Sequence, residues 1–217
     1  MKDLVSVVIG TYDRYELVQN AIESVLNQSY ENIELIVVDD CSQDERYRSL
    51  INSKDFKFIQ MSRNSGLPAC PRNVGIKSSK GKWIAFLDDD DFFLKDKIKI
   101  QMDFSKKYDF ICSDAYYDTN FKKKYLKGLY IDYWNNINDK NTNELDYNII
   151  SNHNLIINSS VLVRKDLIIN VGLIDENPKF KRIEDYQTWL KILSTQVEFC
   201  RFIDEPLLYY NMNSEKK

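Results

Sequence analysis

The chain has 217 residues, with 33 acidic against 30 basic side chains, one histidine and four cysteines. That length suits one domain with a sizeable core, and a net charge of −3 offers no cationic field for nucleic acid. His153 alone excludes two-histidine catalysis and multi-histidine metal sites, while Cys41, Cys70, Cys112 and Cys200 contain no CxxC pair and read as reduced thiols. No apolar run reaches the roughly 18–20 residues that span a bilayer. Residues 4–9 are too short for a signal-peptide core, so a cytoplasmic protein is expected.

Residues 4–9 (LVSVVI) are apolar and β-branched, the pattern of a strand buried on both faces. Leu17, Val18, Ala21, Ile22, Val25 and Leu26 then repeat at helical spacing, with Asp13 and Glu16 placed as a capping box. Residues 33–38 form a second strand, 44–53 a weak helix, 56–61 a third strand and 71–79 a helix opening at Pro71. Residues 82–87 give a fourth strand that ends in four aspartates, with a helix expected from about Leu94. This β-α-β-α-β-α-β order implies a parallel sheet with helices on both faces. Ligands bind such sheets at the carboxyl ends of the strands. The polar clusters fall there: Thr11 to Arg14, Asp39 to Ser42, and Asp88 to Asp91.

The second half is less regular. A fifth strand is expected over 106–114 and another over 159–163, with two short strands at 197–203 and 206–210. Tyr186, Trp189, Leu190 and Leu193 make an amphipathic stripe on a helix beginning near Glu184 and Asp185. Between them, 121–152 holds seven asparagines from Asn135 to Asn152 and reads as a long variable excursion. The basic, aromatic stretch 121–130 is a solvated loop or hairpin before it is an anionic-membrane contact.

Four adjacent carboxylates repel one another, so Asp88 to Asp91 either cap the following helix or hold a divalent cation, Mg²⁺ or Mn²⁺. Their place after a buried strand favours the metal–phosphate reading. Asp39 and Asp40 suit hydrogen bonds from a base or ribose, or an N-cap for the next helix. Arg72 suits a phosphate, a carboxylate or a surface ion pair. Glu184 and Asp185 suit helix capping and general-base work equally. GxGxxG, GxxxxGK[ST] and GxSxG are absent, which leaves dehydrogenases, P-loop enzymes and serine hydrolases unsupported.

Together the segments SVVIGTYDR (6–14), ELIVVDDCS (34–42), NSGLPACPRNVGI (64–76), WIAFLDDDD (83–91) and RIEDYQTWLKI (182–192) resemble the family-2 glycosyltransferases. The resemblance implies a single GT-A domain: an α/β fold whose central sheet is mostly parallel, with helices on both faces and a smaller mixed region. Residues 1–114 would be its nucleotide-sugar half and 115–217 its acceptor half. It implies an inverting, metal-dependent transferase using Mn²⁺ or Mg²⁺, a nucleotide-sugar donor (a UDP-sugar) and a glycan or lipid-linked acceptor at the cytoplasmic membrane face. In this reading Thr11, Tyr12 and Asp13 hold the nucleotide, Asp39 reads the base and Arg72 is the arginine of the ARN segment. Asp88 lies by the ribose, Asp89 shares a donor contact, Asp90 binds the metal and Asp185 is the base. Three departures stand out: Pro71 replaces an alanine, Cys41 a glycine or asparagine, and Asn213 a histidine of the C-terminal motif. Rival readings are a sugar-phosphate nucleotidyltransferase and a nucleotide-sugar-binding scaffold that lacks turnover.

Overall fold

A computed structural model describes residues 2–117, 120–125 and 143–212. Strands β1 (Val5–Thr11), β2 (Ile33–Asp39), β3 (Lys57–Gln60) and β4 (Trp83–Asp88) alternate with helices α1 (Tyr15–Leu26) and α2 (Ala69–Ser78) and a short 3-10 turn at Glu45–Leu50. Next come β5 (Phe92–Phe93), helix α3 (Lys97–Phe104), β6 (Phe110–Tyr116), β7 (Glu144–Leu145), β8 (Leu162–Arg164) and β9 (Cys200–Tyr209). Further helices span Tyr147–Asn152, Lys165–Asn170 and Glu184–Thr195.

The sheet runs β3-β2-β1-β4-β8-β6-β9-β5, with β7 also paired to β9. Its long ladders (β3-β2-β1-β4 and β6-β9) are parallel. Antiparallel pairing enters through short contacts at β8, β5 and β7. The central strands are apolar throughout because both faces are covered. On β1 and β4, Val7, Ile9, Ala85 and Leu87 pack with Val18, Ala21 and Ile22 of α1. Val8, Ile84 and Phe86 face Ile76 of α2 and Trp189 and Ile192 of the last helix.

Several expectations need correction. Asp13 does not cap α1, whose N-cap is Arg14 with no side-chain cap bond; the Asp13 carboxylate instead accepts from the Gln43 and Asp44 amides. Helix α2 opens at Ala69, so Pro71 is its third residue, still within the turn where an N–H has no intrahelical partner. Helix α3 begins at Lys97 rather than near Leu94, and the fifth expected strand starts at Phe110, not residue 106. Ser159 and Ser160 form a 3-10 turn ahead of β8. The two short C-terminal strands are one, β9, and it continues through Pro206. Asn213, most of the asparagine-rich excursion and residues 126–130 of the basic stretch lie outside the described residues. Among the described residues no helix is long and apolar enough to cross a membrane.

Candidate active site

Parallel register brings the expected residues to one edge. Thr11 of β1 pairs with Asp39 of β2, and Gly10 pairs with Asp88 of β4. At the β1–β2 end the polar groups are tightly organised. Asp39 is fully buried, and its carboxylate accepts from the Ser42 amide at 3.0 Å, from the Ser42 hydroxyl, and from Gln60 Nε2 at 3.0 Å. Asp40 accepts from the Ser65 amide and hydroxyl at 2.9 and 2.8 Å, tying the loop before α2 to β2. Thr11 Oγ1 lies 2.8 Å from Tyr47 Oη, which also accepts from the Arg14 amide at 3.0 Å. Tyr12 is 42% exposed. Asp13 and Cys41 both have positive φ, 49° and 68°. The φ of Cys41 supplies a reason for the glycine or asparagine expected there.

Two arginines organise the acidic run. Arg14 Nη1 lies 3.1 Å from both Asp89 Oδ1 and Asp90 Oδ2. Arg72 Nη2 donates to Asp88 Oδ1 at 2.6 Å, and its Nη1 to Glu184 Oε1 at 2.8 Å. Helix α2 sits close enough to β1 that a Cβ on Gly10 would meet Pro71 Cγ at 3.2 Å, which fixes where Arg72 enters the site. Asn158 Nδ2 donates to the same Asp88 oxygen at 2.8 Å. Behind them, Asp91 accepts from Ser159 Oγ at 2.5 Å and from the Asn211 amide at 2.8 Å. Asp91 thus anchors the turn from within.

The electrostatics follow from this packing. Burial pushes the Asp89 carboxyl up to about 6 despite the opposing pull of Arg14. Burial likewise raises Asp91 well above the usual carboxylate range, with Asp88 and Asp90 adding to it. Burial disfavours the Arg72 charge, but Asp88, Asp185 and Glu184 outweigh it and hold its pKa above the ordinary value. Asp185 is pushed up to about 6, chiefly by burial and against the attraction of Arg72. Its Oδ1 accepts the Tyr186 amide at 2.7 Å.

Arg14 already acts as a cation against Asp89 and Asp90, and hard carboxylate oxygens of this kind suit Mg²⁺ or Mn²⁺. Among the described residues no three acidic, cysteine or histidine side chains converge to hold an ion by themselves. An ion held here would take one or two carboxylates, from Asp89 and Asp90, and complete its shell with phosphate oxygens and water.

Thr11, Asp39, Arg72, Asp88, Asp89, Asp90 and Asp185 thus belong to one edge and its rim, with Tyr12 and Asp13 on the loop leaving β1. Arg14, Tyr47, Gln60 and Asn158 join the site although the sequence assigns them no role there. Arg14 had a visible signal, directly following Thr11 to Asp13. The others are single polar residues within ordinary loops and turns.

Known proteins resemble this chain in sequence and in fold. A model of the family described as Glycosyl transferase family 2 matches residues 6–201. A UDP-Glc:alpha-D-GlcNAc-diphosphoundecaprenol beta-1,3-glucosyltransferase, WfaP of Escherichia coli, is 30% identical over 90% of this chain and 72% of its own length. An uncharacterized glycosyltransferase of Rickettsia felis is 42% identical over 58% of this chain but 21% of its own length, so the match spans about a fifth of that relative. S. aureus TarS 1-349 in complex with UDP-GlcNAc superposes with a TM-score of 0.72 at 23% identity, over 96% of this chain and 58% of that one. Mannosyltransferase PcManGT from Pyrobaculum calidifontis, in complex with GDP-Man and Mn²⁺, gives a TM-score of 0.67 at 15% identity, over 95% of this chain and 55% of that one. These structures share the GT-A fold with this chain.

Proposed function

The chain belongs to glycosyltransferase family 2, and from that premise we propose that it moves a sugar from a UDP-sugar to a hydroxyl of a glycan or lipid-linked acceptor, inverting the anomeric centre. The observation that carries this reading is the Asp185–Arg72–Asp88 arrangement. A carboxylate with a pKa of about 6 stands beside a guanidinium already committed to the carboxyl end of β4.

In this reading the uracil ring lies against Tyr12 and is read by Asp39, whose carboxylate exchanges part of its contact with Ser42 or Gln60 for the base. Thr11 and Asp13 shape the loop around the nucleotide. Asp88, expected beside the ribose, shares its Oδ1 with Arg72 and Asn158; we place it where ribose and transferred sugar meet. Asp89 backs the diphosphate side with Arg14, and Asp90 is the residue that would hold Mn²⁺ or Mg²⁺. That ion, when bound, supplies charge neutralisation to the departing diphosphate. Asp185 accepts the acceptor hydroxyl proton as the oxygen bonds to the anomeric carbon and the bond to the diphosphate oxygen breaks. A single displacement from the opposite face inverts the configuration.

Residues 1–114 form the donor half in this proposal, and 115–217 the acceptor half. The glucosyltransferase activity named for WfaP, the UDP-GlcNAc complex of TarS and the Mn²⁺ complex of PcManGT support the donor class, the metal and a lipid-diphosphate acceptor. An acceptor of that kind would bring the enzyme to the cytoplasmic membrane face, in bacterial surface-polysaccharide synthesis. The test is incubation with Mn²⁺, a panel of UDP-sugars and a polyprenyl-diphosphate sugar acceptor. Acceptor-dependent release of UDP is expected. Release of pyrophosphate would instead indicate nucleotidyl transfer, and donor binding without turnover on any acceptor a scaffold.

A further inference from the structure

Beside Asp88, two buried oxygens have no hydrogen-bond partner among the described residues: Glu184 Oε2 and Asn158 Oδ1. Both residues are 4% exposed. Each is pinned through its other polar atom, Glu184 Oε1 by Arg72 Nη1 at 2.8 Å and Asn158 Nδ2 by Asp88 Oδ1 at 2.8 Å. Because Arg72 Nη2 also donates to Asp88 Oδ1, at 2.6 Å, the four side chains form one chain of bonds with an unfilled acceptor at each end. Buried acceptors are nearly always satisfied in folded proteins, so two in one network call for a ligand that donates. The charge balance narrows that ligand further. Arg72 is the guanidinium bonded to both Asp88 and Glu184, leaving the trio one negative charge in excess before Asp185 is counted.

We infer that Glu184 Oε2 and Asn158 Oδ1 receive hydroxyl protons of the transferred sugar, so that the site selects neutral, hydroxyl-bearing sugars and rejects hexuronates. The inference rests on the donor reading above, which puts the sugar between Asp88 and Asp185. Hydroxyls of a neutral hexose donate to both oxygens. A sugar carboxylate brings two more acceptors and a second uncompensated negative charge, and burial sharpens that repulsion.

Calorimetry with Mn²⁺ and no acceptor separates this from the broader proposal, with UDP, UDP-glucose, UDP-N-acetylglucosamine and UDP-glucuronate as probes. The expected result is at least one neutral donor binding tenfold or more tightly than UDP-glucuronate. In Glu184→Gln the amide oxygen keeps the Arg72 bond while an NH₂ replaces Oε2; in Asn158→Ser the free acceptor is withdrawn. Each should cut the preference for the neutral donor to under threefold, with affinity for UDP itself within twofold of wild type. UDP-glucuronate binding as tightly as every neutral donor overturns the inference, as do variants that weaken UDP and the neutral UDP-sugars in parallel. If both variants melt early and lose UDP, the wild-type preference alone decides. Failure of all four probes to bind overturns the donor reading and this inference with it; UDP binding without the preference overturns only the latter.

Discussion

Arg72 and Glu184 stand 112 positions apart in sequence and meet at 2.8 Å, tying α2 to the N-terminal turn of the last long helix. The Arg72 side chain is 11% exposed and that of Glu184 is 5% exposed. Removing one partner of such a pair leaves an uncompensated buried charge, which costs about 3–5 kcal/mol. Arg72→Ala should therefore lower the urea midpoint substantially. Arg72→Lys keeps a charge but cannot fork between Asp88 and Glu184, so it should retain much of the stability while losing most transfer activity. Paired denaturation and transfer assays check this, and a fully active lysine variant would contradict the bridging role.

Asp185→Asn should hold the UDP-sugar and lose about 10²–10⁴-fold in turnover, the usual worth of a positioned base. Wild-type turnover should fall with unit slope below pH 6 as Asp185 takes up its proton. The same substitution makes a stability prediction of opposite sign. A carboxyl near 3.8 when unfolded and about 6 when folded binds its proton more tightly in the native state. Native stability therefore falls as pH rises between those values. Asparagine imitates the protonated form. Its advantage over wild type should be absent below about pH 4, grow through pH 6 and then stay constant, at about 3 kcal/mol or ~6–12 °C in melting temperature. Melting curves of both proteins from pH 4 to 8 measure this difference directly.

The shared edge of β1, β2 and β4 was legible in the sequence because its signals are local. A buried strand followed at once by Thr11, Asp39 or Asp88 places each of those residues at a sheet edge, and parallel pairing then brings the edges together. Arg72 was visible as a residue but not as a bridge, since its partners lie 16 and 112 positions away. Asn158 carried no signal at all; it matters because β8 enters antiparallel between β4 and β6, a topology that local periodicity does not encode. The sequence reads as two short strands, 197–203 and 206–210, where β9 is continuous. Pro206 is accommodated where the β6–β9 register shifts at Asp114. Capping failed for a related reason: Asp13 has a better use bonding the Gln43 and Asp44 amides of the next loop.

Arg14 is the counterion of Asp89 and Asp90. A divalent ion at Asp90 must compete with it. Arg14→Gln should therefore tighten Mn²⁺ binding in the absence of nucleotide by about tenfold, the equivalent of ~1.4 kcal/mol. It should also raise the Asp89 carboxyl further, because Arg14 is the group pulling it down. Calorimetric titration with Mn²⁺ alone reads the first effect. Unchanged or weaker Mn²⁺ binding would show that the ion does not use these oxygens.

Gly75 controls the seat of α2 on the sheet. A Cβ there would come within 2.3 Å of Val8 Cγ1. Val8 is stiff at χ1 and buried in the middle of β1, so it cannot swing aside. Gly75→Ala must push α2 outward, and Arg72 lies three residues earlier, almost one turn back along the same helix. Overpacking of this kind costs about 1–3 kcal/mol, and the displaced Arg72 should lower transfer activity although Gly75 touches no substrate. Val8→Ala alone leaves a cavity and should cost stability too. Combined with Gly75→Ala it removes the obstructing methyls, so the double variant should be more stable than the two single losses predict, and its activity should recover towards that of Val8→Ala. Strict additivity in the cycle would mean that the helix seat is not set by this contact.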